Sequence, residues 1–554
     1  MNRNSMMAQL MRLARLAAQA DKTGQSAQEV VQRDAEQRDA SAQEALRDAS
    51  RRRFTQVAIA GAATAAAGAM SPVAWAGASR IRRMISGGGN VAVVGAGMAG
   101  LSCAYELARK GVATQVFEAA GRVGGRCHSL RGVFPGQVAE RGAEFIGSSH
   151  HTMLGYTRAF ELPLEDVSLQ PGNTFYRFDG QTYSEAQLVE EYRGFAASMR
   201  DDLATLSYPT ADRHTEADEL FDLMSLDDYL SLQGSGGLLR KVIGSAYAAE
   251  YGAGIDELSS ISFLRFIHGD KRGKFAQVGG AGGGLQGGEG FHVIDGNDRI
   301  ASGLAERLPA PVRFGHKLIA VRKLSNGRVR LTFDLAGRAV QSDHDAVVLT
   351  LPFSVLRDVK LDPSLELPAW KRYAINNAAM GDSSKLMVGF NHPYWYIRYG
   401  TNGSGYGDGA RLQSTWETNA SNGNLQRAVL TSQLGGAAAR SLDPRQLQSE
   451  AAMFLADLDA AMPGAVASAR RNANGDVVAF AQNWSKNPLS KGAYTCARPG
   501  YFTTIAHNEA KAVGNVMFAG EHTSSFYEWQ GTMEGAALSG LRAAAEACTL
   551  LRVS

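Results

Sequence analysis

Cysteine is scarce. The four present (Cys103, Cys127, Cys496 and Cys548) are scattered, with no CxxC pair, so neither a zinc site nor a disulfide framework is indicated. An excess of one charge is lacking too. The formal net charge is +3 at pH 7, which gives no electrostatic case for a nucleic-acid partner. The apolar run from Phe54 to Met70 is too short and too rich in Ala and Gly for a spanning helix, so no stable membrane span is expected. No metal-ligand cluster and no nucleophile–base pair stands out, and no metal ligand is assigned. Glycine is abundant at 279–290, GGAGGGLQGGEG, but no Gly-Lys-Ser/Thr follows, which excludes a P-loop. That stretch reads as a flexible loop. At 554 residues the chain is too long for one simple core.

What is present centres on Val91 to Arg126. Val91–Val94 reads as a short apolar strand, followed by a glycine turn, a helix to about Lys110 and a second strand from Val112 to Phe117. Gly95, Gly97 and Gly100 have the spacing GxGxxG. Gly95 permits the tight turn, Gly97 lets the backbone approach a pyrophosphate, and Gly100 lets helix and strand pack closely. The helix N-terminus offers free N–H groups and a positive dipole end. Glu118 closes the second strand, where a carboxylate can accept from ribose hydroxyls. The run Gly121-Arg122-Val123-Gly124-Gly125-Arg126 follows. A second Gly-Gly-Arg loop has no purpose in a nicotinamide dehydrogenase. In a flavoprotein it lets the chain pass close to the flavin side of the dinucleotide, with Arg126 facing pyrophosphate or ring.

This arrangement resembles the flavin-containing amine oxidase family, which includes monoamine, polyamine and L-amino-acid oxidases. The resemblance covers about 88–554 and is strongest at its two ends. It implies an α/β, two-domain flavoprotein, with a Rossmann-like FAD-binding domain and an interleaved α+β substrate domain. The expected division is a leader at 1–86, FAD-binding parts at 87–150, 285–360 and 493–554, and substrate parts at 151–284 and 361–492.

The family's flavin-contacting loop matches Val138 to Gly147, with Gly142 and Ala143 against the ring. Leu318 would contact the adenine through backbone atoms. Met380 to Leu386 matches the segment with the active-site lysine, here Lys385, which holds a water opposite flavin N5. Trp484 and Tyr494 match the substrate-side aromatic residues. Gly520-Glu521 would face the ribityl chain and pyrophosphate, and Met533 would begin a final helix at the pyrimidine edge. A positive helix end there favours negative charge on the reduced ring. FAD is expected to be non-covalent, because Ala493 stands where monoamine oxidases carry the attaching cysteine.

The implied reaction is hydride transfer from the amine-bearing carbon, imine hydrolysis, and reoxidation by dioxygen to hydrogen peroxide. The substrate pattern departs from each subfamily. Phe145 stands where many L-amino-acid oxidases have a carboxylate-binding arginine, and Gly147 where some polyamine oxidases have an acid. Thr532 stands where monoamine oxidases have a second tyrosine, and Trp529 could line the same space. The tail Gly520–Gly540 and the apparent export signal resemble exported bacterial L-amino-acid oxidases, which is the favoured reading. Arg265 is then the candidate carboxylate partner. Oxidation of monoamines or polyamines is the alternative. A flavin-binding scaffold without turnover is disfavoured by Lys385, Trp484 and Tyr494. A dehydrogenase with a protein acceptor and a homo-oligomeric state stay open.

The first 86 residues differ in kind. Positions 21–50 are polar, which suggests a solvated helix or arm and not a core element. Ser50-Arg51-Arg52-Arg53-Phe54, the apolar run and Ala74-Trp75-Ala76 look like a twin-arginine export signal. An exported protein, periplasmic or secreted, is expected. An uncleaved amphiphilic arm is the alternative.

Overall fold

The computed structural model describes residues 5–38, 40, 89–167, 172–267, 290–419, 426–524 and 529–553. Helix α1 (Ser5–Thr23) comes first. Leu10, Leu13, Ala14, Ala17 and Ala20 recur at helical spacing on one face and are buried. Residues 27–38 are also helical, and Ala27 and Val30 join the same core. Over 21–38 this corrects the expectation that no core element lies here; residues 41–50 lie outside the described residues. Few apolar side chains are needed there because ion pairs complete the contact. Arg12 donates from Nη1 and Nη2 to Glu185 at 2.8 and 2.7 Å and from Nε to Asp34 at 2.7 Å. Gln9 donates to Glu185 and Thr174. The export-signal run lies outside the described residues.

Next come β1 (Asn90–Val94), α2 (Met98–Arg109) and β2 (Ala113–Phe117). They are followed by β3 (Asn173–Phe178), α3 (Glu185–Thr205) and α4 (Gly237–Tyr251). The middle of the chain supplies β4 (Lys317–Lys323), β5 (Val329–Leu335), β6 (Arg338–His344) and β7 (Ala346–Leu349). Then come β8 (Ser383–Phe390), β9 (Thr401–Gly407), β10 (Ser414–Glu417), β11 (Ala428–Gly435) and β12 (Ala479–Asn483). The described chain ends with β13 (Val516–Phe518) and α5 (Met533–Leu551).

The result is a mixed α/β fold. One sheet is wholly parallel, in the order β2–β1–β7–β13. Its central strand β1 is buried from Val91 to Val94, the continuous apolar run that a strand covered on both faces requires. The chain enters this sheet in three separate stretches, and that return brings Gly95, Thr350 and Gly520 to one edge. Helix α5 lies along α2 so closely that a methyl group on Gly540 would sit 2.2 Å from the Ala99 carbonyl oxygen.

A second sheet runs β6–β5–β4 and the short strand Lys360–Leu361. Gly315 has a φ of +73°, which interrupts the extended chain before β4. Residues 313–316 hydrogen-bond alongside the end of β2, and β4 starts at Lys317. Strand β6 carries little apolar signal. Its hairpin turns through Ala336 and Gly337, both at positive φ, and lacks the usual Asn-Gly or Asp-Gly mark.

The third sheet has seven strands, β12–β8–β11–β10–β9–β3 and Gln181–Tyr183. Helix α4 packs on it, and α1 packs on α3 and α4. Strands β8 and β11 are buried along their full length, and side chains at the start of β8 alternate between faces: Ser384 donates to the Ala439 carbonyl and Lys385 reaches Glu144.

Candidate active site

A groove with about 1550 Å³ of open space runs across the carboxyl ends of the parallel strands. The first glycine turn forms its floor. Gly95 takes a φ of +110°, which favours glycine, and packs against Thr350. Gly100 does not line the groove; a Cβ there would lie 1.9 Å from the Gly95 carbonyl oxygen. Gly97 does line it, and a Cβ there would meet no protein atom within 4 Å. Helix α2 starts at Gly97 with no side-chain cap, leaving its first N–H groups open to an anion. The second loop approaches this turn: Gly124 donates its N–H to the Ala96 carbonyl at 2.8 Å.

Glu118 lines the groove with one oxygen accepting from Ala96 N–H at 2.7 Å and the other from Ala120 N–H at 2.8 Å. A carboxylate oxygen has a second lone pair, so the acid is oriented by backbone and still able to accept from ribose hydroxyls. Leu318 lines the same end. An open cradle at Gly97, an uncapped helix start and an oriented acid together fit a dinucleotide.

At the other end the groove is lined by Ala143, Trp484, Ala493, Thr532 and Met533, with Arg126, Gly520 and Glu521 between. Glu521 lines the groove and is oriented by protein donors. It accepts from Arg126 Nη1 (2.8 Å), Thr495 Oγ1 (2.7 Å) and Gly531 N–H (2.8 Å). Burial opposes its ionisation, but the Arg126 charge, the His522 ring and the Thr495 hydroxyl together hold it down at about 2. The ionised form is therefore the folded form. Its contribution to stability is complete above the ordinary carboxylate value and is lost as pH falls towards 2. Glu521→Gln is expected to lower the urea midpoint at pH 7, with a gap to wild type that narrows steadily below about pH 4.5. A gap that does not change with pH would mean the charge is not what holds Arg126 and Gly531.

The sequence places Gly142 and Ala143 at the ring, and the structure shows what fixes them. Each carbonyl from Glu140 to Glu144 accepts a side-chain N–H. Lys385 Nζ donates to Glu140 (3.1 Å) and Gly142 (2.8 Å), and Trp484 Nε1 to Arg141 (2.8 Å). Asn297 Nδ2 donates to Ala143 (3.2 Å) and Glu144 (2.6 Å). Gly142 has no room for more: a Cβ would be 1.9 Å from the Arg126 carbonyl oxygen and 3.0 Å from the Trp484 ring. Asn297, Trp416 and Glu144 were not singled out from sequence. Their only signal is a buried polar or aromatic residue in a strand or turn of ordinary composition.

Tyr494 is buried, and its hydroxyl donates to the Ala249 carbonyl at the end of α4 at 2.5 Å. It therefore offers its ring, not its hydroxyl. Phe145 is buried against Trp416 with ring centroids 5.8 Å apart. Thr532 caps α5, accepting from Gly535 N–H and donating to the Trp529 carbonyl. Trp529 stands edge-on to His150. Arg265 lies on the helix Ile261–Ile267, and its side chain is outside the described residues. Among the described residues no group of three or more His, Cys, Asp or Glu could hold a metal, and no helix is long and apolar enough to cross a membrane.

Residues 98–548 match the family of flavin containing amine oxidoreductases, and the chain belongs to it. An L-amino-acid oxidase of Siganus canaliculatus is 25% identical over 476 residues, covering 82% of this chain and 84% of its own. A putrescine oxidase structure with bound putrescine superposes with a TM-score of 0.68 at 20% identity, over 83% of this chain and 99% of that one. Cyclohexylamine oxidase from Brevibacterium oxydans gives 0.68 at 19% identity, over 84% of this chain and 100% of its own. These structures are similar in fold.

The protein is an oxidoreductase with FAD as its non-covalent cofactor. Ala493 lines the groove, whereas Cys496 is buried in a strand beyond Tyr494, its thiol pushed up to about 12 by burial. Cys127 does line the groove, but burial raises its thiol well above the ordinary range, which keeps it from acting as a thiolate. Acid precipitation is expected to leave the yellow colour in the supernatant. Colour in the pellet would locate a covalent bond that this geometry does not provide.

Proposed function

We propose that the protein oxidatively deaminates L-amino acids to 2-oxo acids, with release of ammonia and hydrogen peroxide. The observation that carries this reading is Thr532. Its hydroxyl is spent on capping α5, so a small side chain stands at the ring end of the groove. That leaves width at this end of the groove for a carbon bearing both a carboxylate and a side chain. Bound FAD supplies the hydride acceptor.

The rest falls to this chain. Trp484 lines the groove, and an apolar wall favours the neutral amine by desolvation. The pinned loop Glu140–Glu144 keeps the backbone at Ala143 in place. In this reading 361–492 and 151–284 form the substrate-facing domain, and the signal-like run after Ser50 directs export. The second reading, a monoamine or polyamine oxidase, is favoured by Phe145, which is buried against Trp416 where a carboxylate-binding arginine would be needed. An oxygen-electrode comparison of phenylalanine with phenethylamine and of lysine with cadaverine decides. Faster turnover of both amino acids supports the proposal, and faster turnover of both amines replaces it with the second reading.

A further inference from the structure

Lys385 is expected from the family resemblance to hold a water at the flavin. Its surroundings here leave no proton for that task. An ammonium has three donors. They meet the Glu140 carbonyl, the Gly142 carbonyl and Glu144 Oε2, the last at 2.5 Å. The other Glu144 oxygen accepts from Trp416 Nε1 at 2.8 Å. Glu144 is fully buried, and Lys385 is 3% exposed. The ammonium also lies 5.3 Å from the centroid of the Trp416 ring, in cation–π range.

Three elements meet in this cluster. Glu144 follows Ala143, which lines the groove. Lys385 comes from β8, and Trp416 from β10. Glu140 cannot replace Glu144 as the counter-charge. Its carboxyl faces Ser129 and Asn297, away from the ammonium, and burial, with Glu144 adding, pushes it up to about 8.

We propose that Glu144 is a positioning residue that fixes the direction and cancels the charge of Lys385 beside the ring end of the groove, and so sets the reduction potential of bound FAD. The proposal rests on the flavin assignment and not on the choice between amino acid and amine. A charge buried this deeply acts through a low dielectric and is felt over several ångströms. With Glu144 ionised the pair is neutral. Without it a net positive charge remains where the reduced, more negative flavin is favoured. The lysine also gains a free donor.

The test uses the FAD-loaded protein and a reductant that needs no substrate, so failure of the substrate reading does not touch it. Glu144→Gln keeps the shape and an acceptor for Trp416 but loses the charge. The midpoint potential of bound FAD is expected to rise in this variant and to fall in Lys385→Met, which leaves the carboxylate alone. The double variant is expected to return close to wild type.

A purely structural pair would lower thermal stability in both single variants without moving the potential in opposite directions. Equal potentials in wild type and all variants would overturn the proposal. If Glu144→Gln does not accumulate, Lys385→Met and the double variant carry the test, since the double must lie above the single. Equal values there would also overturn it.

Discussion

Gly97→Val is expected to yield a folded protein that carries no flavin. The backbone at Gly97 has φ −77° and ψ −177°, an extended conformation open to valine. A Cβ there meets no protein atom within 4 Å, so folding alone raises no clash. The space it enters belongs to the groove, over the uncapped start of α2, where the approach of a pyrophosphate requires bare backbone. Two γ-methyl groups would fill it. Gly100→Val makes the control, because its Cβ would strike the Gly95 carbonyl oxygen at 1.9 Å and should prevent folding instead. The ratio of flavin absorbance to protein, together with the apoprotein melting curve, separates the two. A fully yellow Gly97→Val protein would show that the dinucleotide does not cross this turn.

The glycine fingerprint was legible in the sequence because each of its residues answers a local demand of the backbone. Gly95, Gly97 and Glu118 sit where strand–turn–helix spacing places them, and the structure keeps them there. The start of the last helix at Met533, expected from the family resemblance, is where the structure has it. The cluster around Glu144 was not legible. Glu144, Trp416, Lys385 and Asn297 come from four distant stretches, and what joins them is the meeting of β8 and β10 with the parallel-sheet side of the molecule. No local period reports such a meeting. Positions 21–38 misled for a different reason. Their composition is polar and most of them are exposed, yet Ala27 and Val30 reach the core on one face, beside the Arg12–Asp34 pair.

That pairing predicts the second large effect. Arg12→Leu should destabilise the protein by about 3–5 kcal/mol, the cost of leaving one member of a buried ion pair uncompensated. Glu185 bears most of this. Its carboxylate is 7% exposed as a residue and would keep only the Gln9 donor among the three that reach it from α1. Asp34 is more exposed and keeps Arg38. Urea unfolding at pH 7 reads the loss directly, and Glu185→Gln in the same chain should recover part of it. An unchanged midpoint would mean that α1 does not rest on Glu185 in solution.

The seat of α1 also bears on how the protein would be processed. The signal-like run, with its small-residue site at Ala74–Ala76, lies after α1 and before β1 in the chain. A helix that precedes such a site would ordinarily be discarded with the cleaved piece. Here it is held by leucines in the main core and by a buried guanidinium. Cleavage after Ala76 would therefore produce a nicked protein whose two polypeptides migrate together in gel filtration and apart on a denaturing gel, with two N-termini on sequencing.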